Sequence, residues 1–390
     1  MRATANDRRT STSDSLPLTL VWVESTSDST AAGAHLRGTI ARLNDSRFSF
    51  RVITQGAERS RRLPAQLSRA LRIANVVGRG LLAPRRGVFL ARWSPFISLI
   101  STRWRRKGLP TVLFVQGNLD DLYDSNPWTK RVRGITDLAL RSIREADEII
   151  TPSEGLAAWA ATIRADGGDR ITVIPNGVDL NLFHSMRDET AAKRGHALFF
   201  GNMARWQGID TVLAALEHPA WPEDLGLWFI GDGQMAEAVR ECSDPRVRYL
   251  GRLPKAEVAR EAARAELVLA TRHADGASAT GVSPFKIIEA AAAGTPSVVT
   301  DVPGQAELAR DLGGAVIIPP GDPAALAQAV ADLHADAELR QRLVSVASQE
   351  VKRYDWAASA PILTRVVLRA SGREPTAESS GTSFEVVSDD

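Results

Sequence analysis

The residues best placed for chemistry lie in one stretch, Gly281-Val282-Ser283-Pro284-Phe285-Lys286-Ile287-Ile288-Glu289, which runs into four alanines and Gly294-Thr295-Pro296. A Ser-Pro pair suits the opening of a helix, because proline is tolerated in the first turn. Lys286 and Glu289 are three apart, so one face near the helix start carries both. An ammonium there can meet phosphate oxygens, and a carboxylate can accept a bidentate pair of sugar hydroxyls. A surface salt bridge on an alanine-rich helix fits the same two residues equally well. Glycine-bearing turns add to the pattern. Gly201-Asn202-Met203-Ala204-Arg205-Trp206-Gln207-Gly208 follows an apolar run and precedes a helical one, which would aim backbone N–H groups at an anion. Gly231-Asp232-Gly233 follows the next apolar run in the same way. One Gly-x-Gly is a weak signal; its recurrence after consecutive strands is stronger.

These residues need a scaffold of alternating strands and helices. Strands are expected at Leu16–Val23, Phe48–Ile53, Gly87–Ala91, Thr111–Val115, Glu148–Thr151 and Ile171–Ile174, with helices at Gly33–Leu43 and Ile135–Glu145. After a polar linker at Arg187–His196 the pattern restarts with strands at Ala197–Phe200, Leu227–Ile230, Arg248–Leu250, Leu267–Ala270, Ser297–Thr300 and Ala315–Ile318. Helices are expected at Ile209–Leu216, Ala256–Arg264, Ile287–Ala293, Leu326–Leu333, Glu338–Ala347 and, last, Trp356–Arg369. Such alternation implies βαβ units and parallel sheets. The expected architecture is α/β: two Rossmann-like domains, 16–186 and 187–355, facing across a cleft, with 356–370 packing back on the first. Residues 1–15 and the acidic 371–390 are expected to be disordered.

Composition narrows the class. The chain has 390 residues, 44% hydrophobic and 24% charged, which suits two soluble domains. No run approaches the ~20 apolar residues of a membrane span, and the opening residues lack the apolar core of a secretory signal. The lone Cys242 leaves no disulfide or cysteine zinc cluster. A cytoplasmic chain is expected. Residues 51–107 carry 14 Lys and Arg against one acid, Glu58. Within them Arg103-Trp104-Arg105-Arg106-Lys107 joins charge to an interfacial aromatic, and Phe96–Ile100 reads as an apolar patch. An anionic membrane surface is the partner this suggests; nucleic acid is not expected, since no interleaved stacking motif accompanies the charge. The alternative is that these arginines pair with acids of the second half. Among the six histidines no two stand at metal-ligand spacing. His196, His218 and His334 are expected in solvent, whereas His35 and His273 are within reach of the cleft. Asp120-Asp121, taken as strand neighbours, would face opposite ways and hold no metal.

In order and spacing, several motifs resemble the GT-B retaining glycosyltransferases, and family 4 (group 1) of bacterial polysaccharide biosynthesis in particular. They are Ile174-Pro175-Asn176-Gly177-Val178-Asp179, Gly201 to Asp210, Ile230 to Gly233, Leu250-Gly251-Arg252-Leu253, Ser283 to Pro296, and Val302-Pro303-Gly304 with Glu307. The resemblance implies a nucleotide-diphosphate sugar as donor substrate, no cofactor, no metal, and a saccharide or lipid-linked acceptor. It implies that Glu289 binds ribose hydroxyls and that Gly251 and Arg252 meet the base. The amides around Gly201, with Arg205 and Lys286, would hold the diphosphate. Gly281, Val282 and Ser283 would approach the sugar and distal phosphate, and Gly33 would face the donor from the first domain. Asn202, Gln207 and Gly231 complete the implied donor set, and Lys286, Arg205 and Glu289 the catalytic one. Retention would follow front-face attack assisted by the leaving phosphate.

The sequence departs from that pattern at four places. The family's first glutamate is Gly281, its phosphate-loop lysine is Gln207, its arginine after the first glycine is Asn202, and the donor-facing histidine or acid is Gln116. Lys286, in the Ser-Pro-x-Lys form of a subgroup, would restore part of the lost charge. These departures keep open a catalytically silent nucleotide-sugar-binding partner. A nucleotide-sugar epimerase of the same architecture is the other alternative, and it would need acid–base side chains beside Glu289. A NAD-dependent oxidoreductase would need Gly-x-Gly-x-x-Gly after the first strand, which is missing.

Overall fold

The computed structural model describes residues 15–27, 30–55, 65–125, 127–187, 194–274, 281 and 283–373. Val282, the arginines at 59, 61 and 62, and most of both polar termini lie outside them. Two parallel sheets of six strands organise the chain. The first holds β1 (Leu16–Val21), β2 (Phe48–Ile53), β3 (Val88–Arg92), β4 (Thr111–Phe114), β5 (Glu148–Thr151) and β6 (Ile171–Val173), in the order β2-β1-β3-β4-β5-β6. The second holds β7 (Arg194–Asn202), β8 (Gly226–Asp232), β9 (Val247–Tyr249), β10 (Ala265–Ala270), β11 (Ser297–Thr300) and β12 (Ala315–Ile318), ordered β12-β11-β10-β7-β8-β9. Central strands such as Thr111–Phe114 and Ala265–Ala270 are buried at every residue. That is why they read as continuous apolar runs, since helices cover both faces of a parallel sheet. Strand order reverses between β1 and β3 and again between β7 and β10, and ligands of open α/β sheets bind in the crevice at such reversals.

Several elements differ from expectation. β7 starts at Arg194, inside the expected linker, and runs through Asn202, while β8 runs through Asp232. Gly201 and Gly231 are therefore the last residues but one of paired strands, not turn residues beyond them. Both have positive φ, 121° and 137°, a region that favours glycine. Asp120 and Asp121 sit in the first turn of the helix Leu119–Ser125, not on a strand. The last helix spans Ala360–Ala370, with a proline at its start, and Trp356 belongs to the turn before it.

That turn matters to the architecture. Val178 N–H donates to Tyr354 O (2.9 Å) and Trp356 N–H to Val178 O (3.1 Å), so the two segments that cross between the halves run side by side. The Trp356 ring lies against Gly38 of the helix Ala31–Arg42 and against Gly177, where a Cβ would come within 2.7 Å of it. Beyond it, Leu363, Val366, Val367 and Leu368 join the core around Leu18, Leu20, Leu90 and Val112 of the first sheet. Each such side chain contributes about 1.5–3 kcal/mol by burial. Glu148, fully buried, adds an ionic tie by accepting from Arg170 Nη1 (2.9 Å) and Arg369 Nε (2.7 Å).

Candidate functional site

The site forms at the carboxyl end of β7. Its loop carries Gln207 on a 3₁₀ turn, Arg205–Gln207, and Gly208 in the left-handed region then starts the helix Ile209–Leu216. From the helix Phe285–Ala293, with Pro284 as N-cap, Lys286 reaches this loop and donates to Gln207 Oε1 at 2.9 Å. Its ammonium lies 3.8 Å from the centroid of the Phe199 ring. Burial, and then the Arg272 charge, push the Lys286 amine down to about 7, with Glu289 opposing. An ammonium held out of water is primed to accept an anion. Thus Lys286 delivers charge to the loop position where Gln207 itself carries none.

Glu289, one turn further along the same helix, is 3% exposed and pairs with Lys255. Both line a cavity of about 370 Å³ between the two halves, with Arg37 and Gly38 on one side and Gly177, Phe183 and Trp356 completing it. Such a cavity, largely apolar with a few convergent polar groups, suits a nucleoside. The donor-motif residues are tied to the first half. Ser153 Oγ donates to Gly281 O (3.3 Å), and Asn176 donates through its N–H to Ser283 Oγ (3.3 Å) and through Nδ2 to Ser283 O (2.7 Å).

Other expected site residues sit further out. Arg205 is exposed, and its backbone N–H donates to Gln234 Oε1. Asn202 is exposed at the end of β7. Arg252 Nε donates to Asp232 Oδ2 at 3.2 Å on an open surface, beside Gly251, whose carbonyl accepts from Gly231 N–H. Gly33 lies in the first turn of the helix Ala31–Arg42: its N–H donates to the cap Thr30 Oγ1 at 3.0 Å, and the Thr26–Ser27 backbone packs where a side chain would stand.

Sequence reasoning missed Arg272 and Lys255, and weighed Asp121 only as a metal ligand. Arg272 follows β10, is 7% exposed, and its charge disfavours the Lys286 ammonium; among 42 arginines nothing local marks it, and only its place after a strand gave a hint. Lys255 and Asp121 are brought in by sheet order alone. Two histidine expectations are corrected. His196, inside β7, is 1% exposed and stacks on Trp228 with ring centroids 4.0 Å apart. His334 is held between Glu266 (2.8 Å) and Asp224 (3.2 Å). His35 is also interior, packed edge-on to Phe114, and burial keeps it neutral. His273 pairs with Asp210 at 2.8 Å. Among the described residues no three His, Cys, Asp or Glu cluster as metal ligands.

The expected apolar patch at Phe96–Ile100 and the expected interfacial Trp104 are corrected as well. Trp104, Ile97 and Ile100 share the inner face of the helix Pro95–Arg105 and are fully buried, leaving Leu99 exposed. Arg105 is paired with Asp147. No helix among the described residues is long and apolar enough to cross a membrane.

Comparison with known proteins agrees with this fold. Residues 34–182 match the family model described as Glycosyltransferase Family 4, and residues 194–336 the one described as Glycosyl transferases group 1. A phosphatidyl-myo-inositol mannosyltransferase of Mycobacterium leprae is 28% identical over 275 residues, 67% of this chain and 64% of that protein. The chain thus spans a little under two thirds of that relative's length. Sucrose-phosphate synthase from Thermosynechococcus elongatus superposes with a TM-score of 0.72 at 16% identity, covering 91% of this chain and 98% of that one. HepE of Anabaena, solved in complex with UDP and glucose, superposes with a TM-score of 0.64 at 19% identity, covering 91% and 100%. With a family 4 model on its first half, a group 1 model on its second and both sheets in their arrangement, the chain belongs to the group 1, family 4 glycosyltransferases of GT-B fold.

Proposed function

We propose that this protein transfers a glycosyl unit from a nucleotide-diphosphate sugar to an acceptor hydroxyl with retention of configuration. The observation that carries the proposal is the buried Lys286 ammonium at the strand-order reversal of the second sheet, one helical turn from a buried Glu289 that lines the cavity between the halves. Glu289 takes the ribose hydroxyls, and the cavity takes the nucleoside. As the glycosidic bond breaks, negative charge gathers on the departing diphosphate, and Lys286 with the loop amides holds that charge better than it holds the ground state. Arg205, exposed at the rim, closes on the diphosphate from outside. UDP held by the similarly folded HepE is in keeping with such a donor. Release of nucleoside diphosphate, measured across UDP-, GDP- and ADP-sugars, tests the proposal; no release with any of them overturns it. Asn202, Gln207 and Gly281 favour a second reading, a binding partner that does not turn over. Binding without release would establish that one.

The acceptor we assign to a lipid-linked saccharide at the inner face of the cell membrane, in cell-surface polysaccharide or glycolipid synthesis. The basic side chains Arg69, Arg79, Arg86, Arg103, Arg106 and Lys107 are exposed on the first half, and Leu67, Leu71 and Leu82 of the helix Ala65–Leu82 are exposed beside some of them. Each charge near an anionic surface adds about 1 kcal/mol. Co-sedimentation with anionic vesicles at low salt, lost at about 1 M salt, is the expected result; no binding at low salt refutes it.

A further inference from the structure

The strand-order reversal of the second sheet is flanked by two loops, and the sequence motifs point to one of them alone. The loop after β7 supplies Gln207; the loop after β10 supplies Thr271 and Arg272. The two are locked together, because Thr271 Oγ1 donates to Gln207 O (2.8 Å) and His273 N–H donates to Trp206 O (2.9 Å). A Cβ on Gly208 would stand 3.5 Å from the Arg272 backbone nitrogen. The Arg272 side chain is 8% exposed, and its charge disfavours the neighbouring Lys286 ammonium. Two cations confined together out of water raise each other's free energy, and an anion with several charged oxygens relieves both. A guanidinium is suited to the task, since its planar fork engages two phosphate oxygens at once. Across the cleft, Arg272 Nη2 lies 4.0 Å from Asp121 Oδ1. That carboxylate is fixed in place: its Oδ2 accepts from Asn118 N–H at 3.1 Å, and Asp121 N–H donates back to Asn118 Oδ1 at 3.0 Å.

We propose that Arg272 is a diphosphate ligand of the donor site, and that its guanidinium exchanges Asp121 of the first half for phosphate oxygens when donor enters. The assignment rests on the donor reading above. It supplies from β10 the second cation that Asn202 does not supply from β7. It also links occupancy of the site to a contact between the halves: the ion pair opens as the diphosphate binds and closes again as it leaves.

The test is calorimetric titration of the full chain with inorganic pyrophosphate and with UDP, GDP, ADP and their monophosphates. Arg272→Gln is expected to weaken pyrophosphate and nucleoside diphosphate binding at least tenfold while changing monophosphate binding much less. Asp121→Asn is expected to tighten pyrophosphate binding two- to tenfold, because the pair with Asp121 need not be broken. Arg272→Lys, which keeps the charge without the fork, is expected to fall between wild type and Arg272→Gln. Diphosphate affinity of Arg272→Gln within twofold of wild type overturns the ligand assignment, as does an equal loss of mono- and diphosphate. If Arg272→Gln does not fold, a wild-type affinity in Arg272→Lys together with an unchanged or weaker one in Asp121→Asn overturns it. Wild-type protein that binds none of these compounds refutes the donor reading itself, a separate outcome.

Discussion

Replacing Lys286 by methionine should make the ligand-free protein more stable and the enzyme slower. In the folded chain the amine drops from 10.5 to about 7, chiefly through burial. At about 1.4 kcal/mol per tenfold change in proton affinity, the charged form is disfavoured by roughly 5 kcal/mol. The unfolded chain keeps its proton up to 10.5 and the folded chain loses it near 7. Between those values the unfolded state binds more protons, so stability rises with pH. The penalty is present in full below about pH 7 and gone by about pH 10.5. Opposing it are the hydrogen bond to Gln207 and the approach to the Phe199 ring, together about 2–3 kcal/mol. The variant should therefore gain about 2 kcal/mol in urea denaturation near pH 6.5, with the gain fading toward pH 10. In turnover the sign reverses. A charge-assisted contact to the departing diphosphate is worth about 1.5–3 kcal/mol, or roughly 10- to 150-fold in kcat. Lower stability than wild type near pH 6.5, or turnover within about threefold of wild type, would refute this reasoning.

Glu289→Gln should raise donor KM and lower kcat/KM by about 10- to 100-fold through lost ribose contacts, and a 2′,3′-dideoxy donor should narrow the gap; equal kinetics with the wild-type enzyme would remove Glu289 from the site. Glu148→Gln leaves Arg170 and Arg369 without their shared carboxylate and should cost about 3 kcal/mol in urea denaturation, whereas a loss under about 1 kcal/mol would make that buried tie incidental. Gly38→Ala sets a methyl against the Trp356 ring and should cost about 1–3 kcal/mol, largely recovered in the double variant with Trp356→Ala; additive losses would deny the contact. EDTA should leave turnover unchanged if, as proposed, Lys286 and the loop amides meet the phosphate charge; a requirement for added manganese or magnesium counts against that account.

Much of the scaffold was legible because it is set by local patterning. Phe48–Ile53, Glu148–Thr151, Ser297–Thr300 and Ala315–Ile318 are strands at the expected bounds, and Ile209–Leu216 is the expected helix; short β-rich runs between breakers mark both the buried inner strands Glu148–Thr151 and Ser297–Thr300 and the half-exposed edge strands Phe48–Ile53 and Ala315–Ile318. Ends were less legible. β7 and β8 continue through Gly201 and Gly231, since pairing with a neighbour can carry a strand past a residue that reads as a turn. His196 and Trp104 look like surface residues among polar or basic neighbours, yet His196 lies in a central strand buried on both faces and helix periodicity turns Trp104 inward.

Local patterning settles the class of the fold, and the motifs carry the family; Lys286 and Glu289 share one helix face because spacing of three along a helix is a local property. The tertiary structure alone decided what that face meets. Lys286 finds Gln207 across 79 residues of chain, Glu289 finds Lys255 rather than solvent, and Arg272 finds Asp121 from the other half. Those meetings follow from the order in which parallel strands assemble. A strand's apolar pattern says that it will be buried, whereas which loops converge at its end depends on the strands that come to lie beside it.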